Sequence, residues 1–195
     1  MIDANRSVML VLSSPSGGGK TTISKKIQQK YQNFKISVSH TTRKPRPNEI
    51  EGVDYFFISK EDFQKKIKKN EFYEHAKIFD NFYGTSKKSV LDLIEKKNDI
   101  LFDIDWQGNQ QLSKFKELNL VKLFILPPNK TELKKRLIER NQDKKAIVEE
   151  RLKSYDNDIQ HWNDYNFVII NDNLENCFRQ IETIISQTKE KIIIN

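Results

Sequence analysis

Residues 8–22 read Val-Met-Leu-Val-Leu-Ser-Ser-Pro-Ser-Gly-Gly-Gly-Lys-Thr-Thr. The apolar run 8–13 predicts a β-strand, and the spacing of the apolar residues that follow predicts a helix over 21–31. Glycines between a strand and a helix let consecutive backbone N–H groups turn inward around phosphate oxygens, and the helix N-terminus adds partial positive charge. This order of elements predicts a phosphate-binding loop of the P-loop type.

The loop carries the side chains that nucleotide chemistry requires. In such loops the lysine, here Lys20, reaches the β- and γ-phosphates of ATP, and the hydroxyl of Thr21 faces Mg²⁺ directly or through water. The usual pattern asks for glycine where this chain has Ser14. The alternative is a glycine-rich turn that only caps a helix, but both Lys20 and Thr21 are present. We predict ATP binding by Ser13, Ser14, Pro15, Ser16, Gly17, Gly18, Gly19, Lys20, Thr21 and Thr22.

The rest of the chain alternates between strand and helix patterns. Apolar runs predict strands at 36–39, 99–105, 121–126 and 167–170. Helical spacing predicts helices at 59–67, where Ser59 and Asp62 form a capping box, and at 87–97, 130–140, 146–162 and 174–191. Residues 41–52, with two prolines, and residues 81–84 are predicted to be loops. Strands that alternate with helices predict an α/β fold with a parallel sheet and right-handed crossovers.

Charge and composition argue against several classes of protein. The net charge is +7, but the lysines are scattered along the predicted helices, which is typical of a solvated surface rather than a nucleic-acid site. No apolar run approaches a membrane span, and residues 1–6 do not form a signal peptide. The one cysteine, Cys177, cannot form an internal disulfide. We expect a single soluble, cytoplasmic domain with no nucleic-acid, membrane or obligate protein partner.

Five further segments combine polar and aromatic residues in distinctive ways. They read SVSHTTRKPRP at 37–47, EGVDYFF at 51–57, FYEHA at 72–76, YGTS at 83–86 and DIDWQG at 103–108. With the phosphate-binding loop, and in this order, they closely resemble the guanylate kinase family over nearly the whole chain. The resemblance implies a P-loop NTPase with a central parallel sheet flanked by helices, a small GMP-binding subdomain and a helical lid. It also implies transfer of the γ-phosphoryl group of ATP to GMP, and to dGMP, in purine nucleotide metabolism.

Arginine is rare in this chain and is concentrated at a few places. Arg43 and Arg46 lie three residues apart on a proline-stiffened loop, where their forked donors suit a dianionic phosphate better than lysine would. The resemblance implies that the hydroxyls of Tyr55 and Tyr83 complete this binding site for the GMP phosphate. The alternative is that these two tyrosines are ordinary half-buried aromatic residues.

The residues that read the base are assigned from hydrogen-bond chemistry together with the resemblance. Guanine offers an acceptor at O6 and donors at N1 and N2, so its reader needs a carboxylate and hydroxyl groups. Glu74 matches the family's carboxylate, and Ser39 and Thr85 match its hydroxyl positions. Asp103 resembles the residue on the N2 side of guanine and near the metal. Asp105 is the other candidate for the metal, and the sequence does not decide between them.

A basic helix is predicted to supply further positive charge around the phosphates. Arg136 and Arg140 lie one helical turn apart, and Arg151 follows farther along the chain. They match the family's lid arginines, which close over the ATP phosphates; a generic basic surface helix is the alternative. Asn141 stands where the family usually has glycine, and Asn171 resembles its residue beside the adenine. The predicted catalytic set is Lys20, Arg43, Arg136, Arg140 and Arg151.

The resemblance divides the chain into three parts. The core comprises residues 1–37, 96–133 and 159–195, the GMP-binding subdomain 38–95 and the lid 134–158. Two other functions stay open: a kinase for a sugar phosphate or another nucleotide, and a non-enzymatic interaction module. The joint presence of the base and phosphate residues argues against the first. The intact ATP loop argues against the second.

Overall fold

The computed structural model describes residues 7–78, 80–139 and 145–194. Its strands are β1 (Met9–Ser13), β2 (Phe34–Ile36), β3 (His40–Thr41), β4 (Phe56–Phe57), β5 (Phe72–Ile78), β6 (Asn81–Ser86), β7 (Asp99–Asp103), β8 (Leu120–Leu126) and β9 (Phe167–Ile170). Its helices are α1 (Lys20–Lys30), α2 (Lys60–Lys68), α3 (Lys87–Glu95), α4 (Trp106–Leu112), α5 (Lys130–Glu139), α6 (Lys145–Asp158) and α7 (Leu174–Ile194). A 3-10 helix, Ile159–Asp164, follows α6. None of the described helices has the length and apolar character needed to cross a membrane.

Five parallel strands form the central sheet, in the order β2-β7-β1-β8-β9. The central strand β1 is buried on both faces. Leu10 and Leu12 pack in the apolar cluster that includes α1 and α7, whereas Met9 and Val11 pack in the cluster that includes α3 and α4. Side chains alternate between the faces of a strand, so a sheet covered on both sides requires continuous apolar runs. The predicted α/β fold of the P-loop NTPase type is confirmed.

The predicted core elements are present, with changes at their ends and one addition. The strand predicted at 36–39 lies at Phe34–Ile36 instead. Helix α2 begins after Ser59, whose Oγ accepts a hydrogen bond from the Asp62 N–H at 3.0 Å, as the sequence predicted. Helix α4 was not predicted, because its seven residues are too few and too polar to show a helical apolar pattern.

A smaller sheet has the strand order β4-β3-β6-β5. Residues 81–84, predicted to be a loop, instead begin β6, which pairs antiparallel with both β3 and β5. The Phe82 ring stacks on Phe63 with centroids 5.5 Å apart. Gly84 passes so close to β5 that a Cβ there would lie 3.0 Å from the Glu74 carbonyl oxygen. The loop prediction was wrong because these tertiary contacts outweigh the local preference for a turn.

Helices α5 and α6 form a small apolar cluster of their own, in which Leu133 and Leu137 pack with Val148. A Cβ at Gly17 would lie 2.8 Å from Leu133 Cδ1 and 2.9 Å from Leu137 Cδ2. Helix α5 therefore packs directly on the phosphate-binding loop. Of the residues predicted for the lid, Arg140 and Asn141 lie outside the described residues.

Candidate active site

The loop between β1 and α1 leaves backbone N–H groups available for a ligand. Gly17 and Gly19 have φ angles of 91° and 104°, a region that favours glycine. The Gly18 N–H bonds back to the Pro15 carbonyl at 2.9 Å and tightens the turn. Gly19 is the N-cap residue of α1 and has no side chain that could bond the first amides of the helix. These amides and the positive end of the helix dipole form an anion site.

Lys20 and Asp103 form an ion pair beside this loop. Because β1 and β7 are parallel neighbours, Asp103 at the carboxyl end of β7 lies next to the start of α1. Lys20 Nζ donates to Asp103 Oδ1, and Ser24 Oγ donates to Oδ2 at 3.0 Å. Burial lowers the pKa of Lys20 to about 8, against the opposing effect of the negative charges of Asp105 and Glu74. Lys20 is therefore positively charged at neutral pH, and an entering phosphate could replace Asp103 as its partner.

Asp105 has different partners from Asp103. Its Oδ1 accepts from the Gly108 N–H at 2.9 Å and its Oδ2 from Gln107 Nε2 at 3.1 Å, so the carboxylate caps α4. Thr21 is exposed at the start of α1. Within the described ranges no group of three or more Asp, Glu, His or Cys side chains could hold a metal by itself. Hydroxyl and carboxylate oxygens fit Mg²⁺, which keeps several waters and needs few protein ligands. The assignment of Thr21 and Asp105 as ligands of the metal stays a prediction.

The smaller sheet brings together three of the residues predicted to bind the acceptor phosphate. Thr41 of β3 pairs with Tyr83 of β6. The rings of Tyr55 and Tyr83 meet edge to face with centroids 6.0 Å apart. The Arg43 guanidinium carbon lies 5.3 Å from the centre of the Tyr55 ring. Arg43, Tyr55 and Tyr83 thus form one cluster, and the half-buried Arg46 lies on the same loop as Arg43.

Glu49 belongs to this cluster and was missed by the sequence analysis. Its Oε1 and Oε2 accept from Arg43 Nη2 and Nη1, both at 2.9 Å. Oε2 also accepts from the Arg46 N–H at 2.7 Å. Two parallel bonds of this kind orient a guanidinium strongly, and a phosphate would have to share Arg43 with this carboxylate. The one signal in the sequence was an acidic residue three positions after Arg46 on the stiffened loop.

Glu74 is a buried carboxylate in the middle of β5. It pairs with Thr85 of β6 and is only 3% exposed. Burial raises the pKa of Glu74 to about 7; the hydroxyl and N–H of Thr85 and the charge of Lys20 oppose this rise, whereas Asp105 adds to it. The Thr85 hydroxyl is buried beside this carboxylate. Ser39 lies half-buried just before β3. A ligand with N–H donors and an acceptor would satisfy both Glu74 and Thr85.

The raised pKa of Glu74 predicts how pH affects the stability of a Glu74→Gln variant. The folded protein takes up a proton at Glu74 near pH 7, whereas the unfolded chain does so near pH 4.5. The parent therefore loses stability relative to the variant as pH rises through this window. We expect the difference in free energy of unfolding to grow by up to about 3 kcal/mol in favour of the variant between pH 4.5 and 8. Urea unfolding of both proteins across that range would measure it, and parallel curves would contradict it.

Arg136 is held beside the phosphate-binding loop. Its Nε donates to Glu132 Oε1 at 3.1 Å, and its Nη2 donates to the Asn171 carbonyl at 3.0 Å. Asn171 in turn donates its side-chain Nδ2 to the Gly18 carbonyl at 3.0 Å. The Asn171 side chain thus supports the loop, and its predicted position beside the adenine stays a prediction. Arg151 lies half-buried on α6.

Similarity to known proteins extends over almost the whole chain. A family model described as guanylate kinase matches residues 6–188. A guanylate kinase of Rickettsia bellii (strain RML369-C) is 46% identical over 187 residues, which cover 96% of this chain and 97% of that protein. A guanylate kinase of Agrobacterium fabrum is 46% identical over 182 residues, which cover 93% and 83%.

A solved structure shows the same relationship. The crystal structure of a guanylate kinase from Anaplasma phagocytophilum aligns with a TM-score of 0.77 and 36% sequence identity. The alignment covers 94% of this chain and 86% of that one. The overall fold described above thus agrees with that of this structural neighbour. The chain therefore belongs to the guanylate kinase family.

Proposed function

We propose that this chain transfers the γ-phosphoryl group of ATP to GMP, forming ADP and GDP. The observation that carries the proposal is the position of Glu74. This buried carboxylate lies beside the buried hydroxyl of Thr85, and its charge and that of Lys20 influence each other. Glu74 and Thr85, the proposed readers of the base, thus lie close enough to Lys20 for its charge to affect the pKa of Glu74. Membership of the guanylate kinase family supports the same reaction.

Guanine matches this pair better than adenine does. Ionised Glu74 would accept from N1–H and the N2 amino group, while the hydroxyls of Thr85 and Ser39 would donate to O6. Adenine has an amino donor at C6 and no N1–H, so it would leave the buried carboxylate unpaired. A site built to bond a polar group rejects an analogue lacking that group by about 10⁴ to 10⁵. The base pocket therefore selects the acceptor.

Positioning and charge neutralisation account for the transfer step in this proposal. Lys20 would leave Asp103 for the phosphates of ATP, and Arg43 with the two tyrosines would hold the acceptor phosphate. Arg136 and Arg151 would add positive charge from the lid side. When bound, Mg²⁺ would neutralise charge on the phosphates, with Thr21 and one of the two aspartates as its ligands, directly or through water. The proposed mechanism needs no covalent intermediate and no dedicated base.

A panel of acceptors tests the proposal. ADP release would be measured by a coupled assay at saturating ATP with GMP, dGMP, AMP, CMP, UMP and ribose phosphates. We expect kcat/KM for GMP to exceed that for AMP by at least about 10⁴. We include dGMP as a second acceptor because it has the same base and phosphate as GMP, and the proposed contacts are to these two groups.

The same panel decides between the alternative functions. A sugar phosphate or another nucleotide used as well as GMP would replace the proposed acceptor. No ADP release with any acceptor would favour an interaction module, although the loop geometry and the paired Lys20 speak for catalysis. The cytoplasm is the compartment that we propose, since both substrates are soluble nucleotides.

A further inference from the structure

Helix α4 of the core touches the Glu74 carboxylate at a glycine. A Cβ built on Gly108 would lie 2.7 Å from Glu74 Oε2 and 3.1 Å from Glu74 Cδ. Cβ atoms essentially never approach heavy atoms of other, non-adjacent residues within 3.0 Å. The φ angle of Gly108 is not in the left-handed region, so an alanine could adopt the same backbone conformation. Space for the carboxylate, rather than backbone freedom, is therefore what glycine provides here.

A second contact joins α4 to the next residue of the same strand. Gln111 Nε2 donates to the His75 carbonyl at 2.7 Å, and Gln111 Oε1 accepts from the His75 N–H at 3.1 Å. Strand β5 is an edge strand, so this side-chain amide takes the place that a neighbouring strand would occupy. The pairing of β5 with β6 is irregular between Phe72 and Glu74, just before this point. Gln111 thus fixes a strand whose register is locally disturbed.

We propose that Gly108 and Gln111 are positioning residues for base recognition, which act through Glu74. Gly108 sets how far the carboxylate can move toward α4, and Gln111 sets the position of the backbone that carries it. The inference rests on the proposed role of Glu74 as the reader of guanine. Neither residue is expected to touch the substrate.

An alanine at position 108 would clash mainly with a side chain that can move, namely Glu74. The nearest atom is the end of the Glu74 side chain, which can rotate, whereas the Ile104 Cβ at 3.2 Å would have to shift by only a few tenths of an ångström. A Gly108→Ala variant would therefore keep its fold but move the carboxylate. Helix propensity by itself favours alanine over glycine in α4. Displacement of a functional group by about 1 Å can cost up to about a hundredfold in activity.

Steady-state kinetics of four proteins tests the role of Gly108: the parent, Gly108→Ala, Glu74→Ala and the double variant. We expect Gly108→Ala to raise KM for GMP by about 10- to 100-fold and to leave KM for ATP within about twofold. In the Glu74→Ala background the two contacts with the carboxylate are gone and the Ile104 Cβ at 3.2 Å remains. Gly108→Ala should then change KM for GMP by less than about twofold.

The outcomes separate this inference from the proposed function. Normal GMP kinetics in Glu74→Ala would refute the role of Glu74 and with it this inference, whereas failure of the parent to phosphorylate GMP would overturn the proposed function. If Glu74→Ala is impaired but Gly108→Ala behaves like the parent, the role of Gly108 is refuted and the proposed function stands. An equally large effect of Gly108→Ala in both backgrounds would show a general disturbance of α4 and would also refute it.

A neighbouring pair of glutamines provides a test that does not depend on Gly108→Ala folding. Gln111→Met removes both bonds to His75 but keeps the side-chain length. Gln110→Met is its matched control, since Gln110 is exposed on the same helix and bonds Asp164 instead. We expect about a three- to tenfold rise in KM for GMP, with KM for ATP unchanged, in Gln111→Met only. Equal GMP kinetics in the two variants would refute the role of Gln111.

Discussion

Lys20→Met is expected to lower kcat by about 10²- to 10³-fold or more, the range found when one donor to a developing charge is removed. Lys20 is the cation at the mouth of the phosphate-binding loop, and its charge is retained at neutral pH although burial lowers its pKa to about 8. Methionine keeps the length of the side chain but cannot neutralise the transferring phosphoryl group. The measurement is kcat at saturating ATP and GMP.

The control for this variant must separate lost chemistry from lost structure. Lys25→Met makes the same change at an exposed position of the same helix, and its kcat should stay within about twofold of the parent. Circular dichroism and thermal unfolding would show whether Lys20→Met is folded, since the variant leaves Asp103 with Ser24 as a partner. A folded Lys20→Met protein with kcat within about tenfold of the parent would contradict the assignment of the loop.

Glu74→Gln is expected to lower kcat/KM for GMP by about tenfold to several hundredfold. The amide can accept only through its oxygen, so its NH₂ group would face a guanine donor and leave at least one bond unmade. An unmade bond of this kind costs about 1 to 3 kcal/mol, and each 1.4 kcal/mol is a factor of ten. Activity with AMP should rise from its low starting value, because no carboxylate has to be buried unpaired.

The test compares kcat/KM for GMP and AMP in the parent and in Glu74→Gln at saturating ATP. Glu61→Gln is the matched control, since Glu61 is exposed on α2 within the same predicted subdomain. Values for GMP within about twofold in parent and Glu74→Gln would remove Glu74 from base recognition. A parallel loss with both acceptors would indicate damage to the site as a whole.

The parts of the structure that could be predicted from sequence are those whose causes are local. Residues 13–22 contain the whole phosphate-binding loop with its lysine and the start of α1, so a contiguous pattern suffices. Strands β1 and β7 inside the central sheet are buried on both faces and therefore appear as continuous apolar runs. Neither prediction required knowledge of which segments meet.

The parts that could not be predicted depend on contacts between distant segments. The ion pair between Lys20 and Asp103 joins residues that lie 83 positions apart, so no local sequence pattern predicts it. The turn-like pattern of residues 81–84 predicts a loop, whereas the packing of Phe82 on Phe63, which is distant in the chain, favours strand β6. The resemblance supplied Glu74 as a residue type, but its pKa near 7 results from burial under α4, a helix that the sequence did not reveal.

Segment 38–95 is not expected to recognise the base when it is transferred alone to another protein, because α4, which lies outside the segment, contacts the Glu74 carboxylate. Arg43, Tyr55 and Tyr83, which are proposed to bind the acceptor phosphate, lie within the segment and would be transferred with it to another P-loop protein. Gly108 and Gln111 would not be transferred, and the Glu74 carboxylate would contact the side chains that the recipient protein has at that place. A chimera with its junction beyond Leu112 would transfer Glu74, the proposed reader of guanine, together with α4, which contacts its carboxylate.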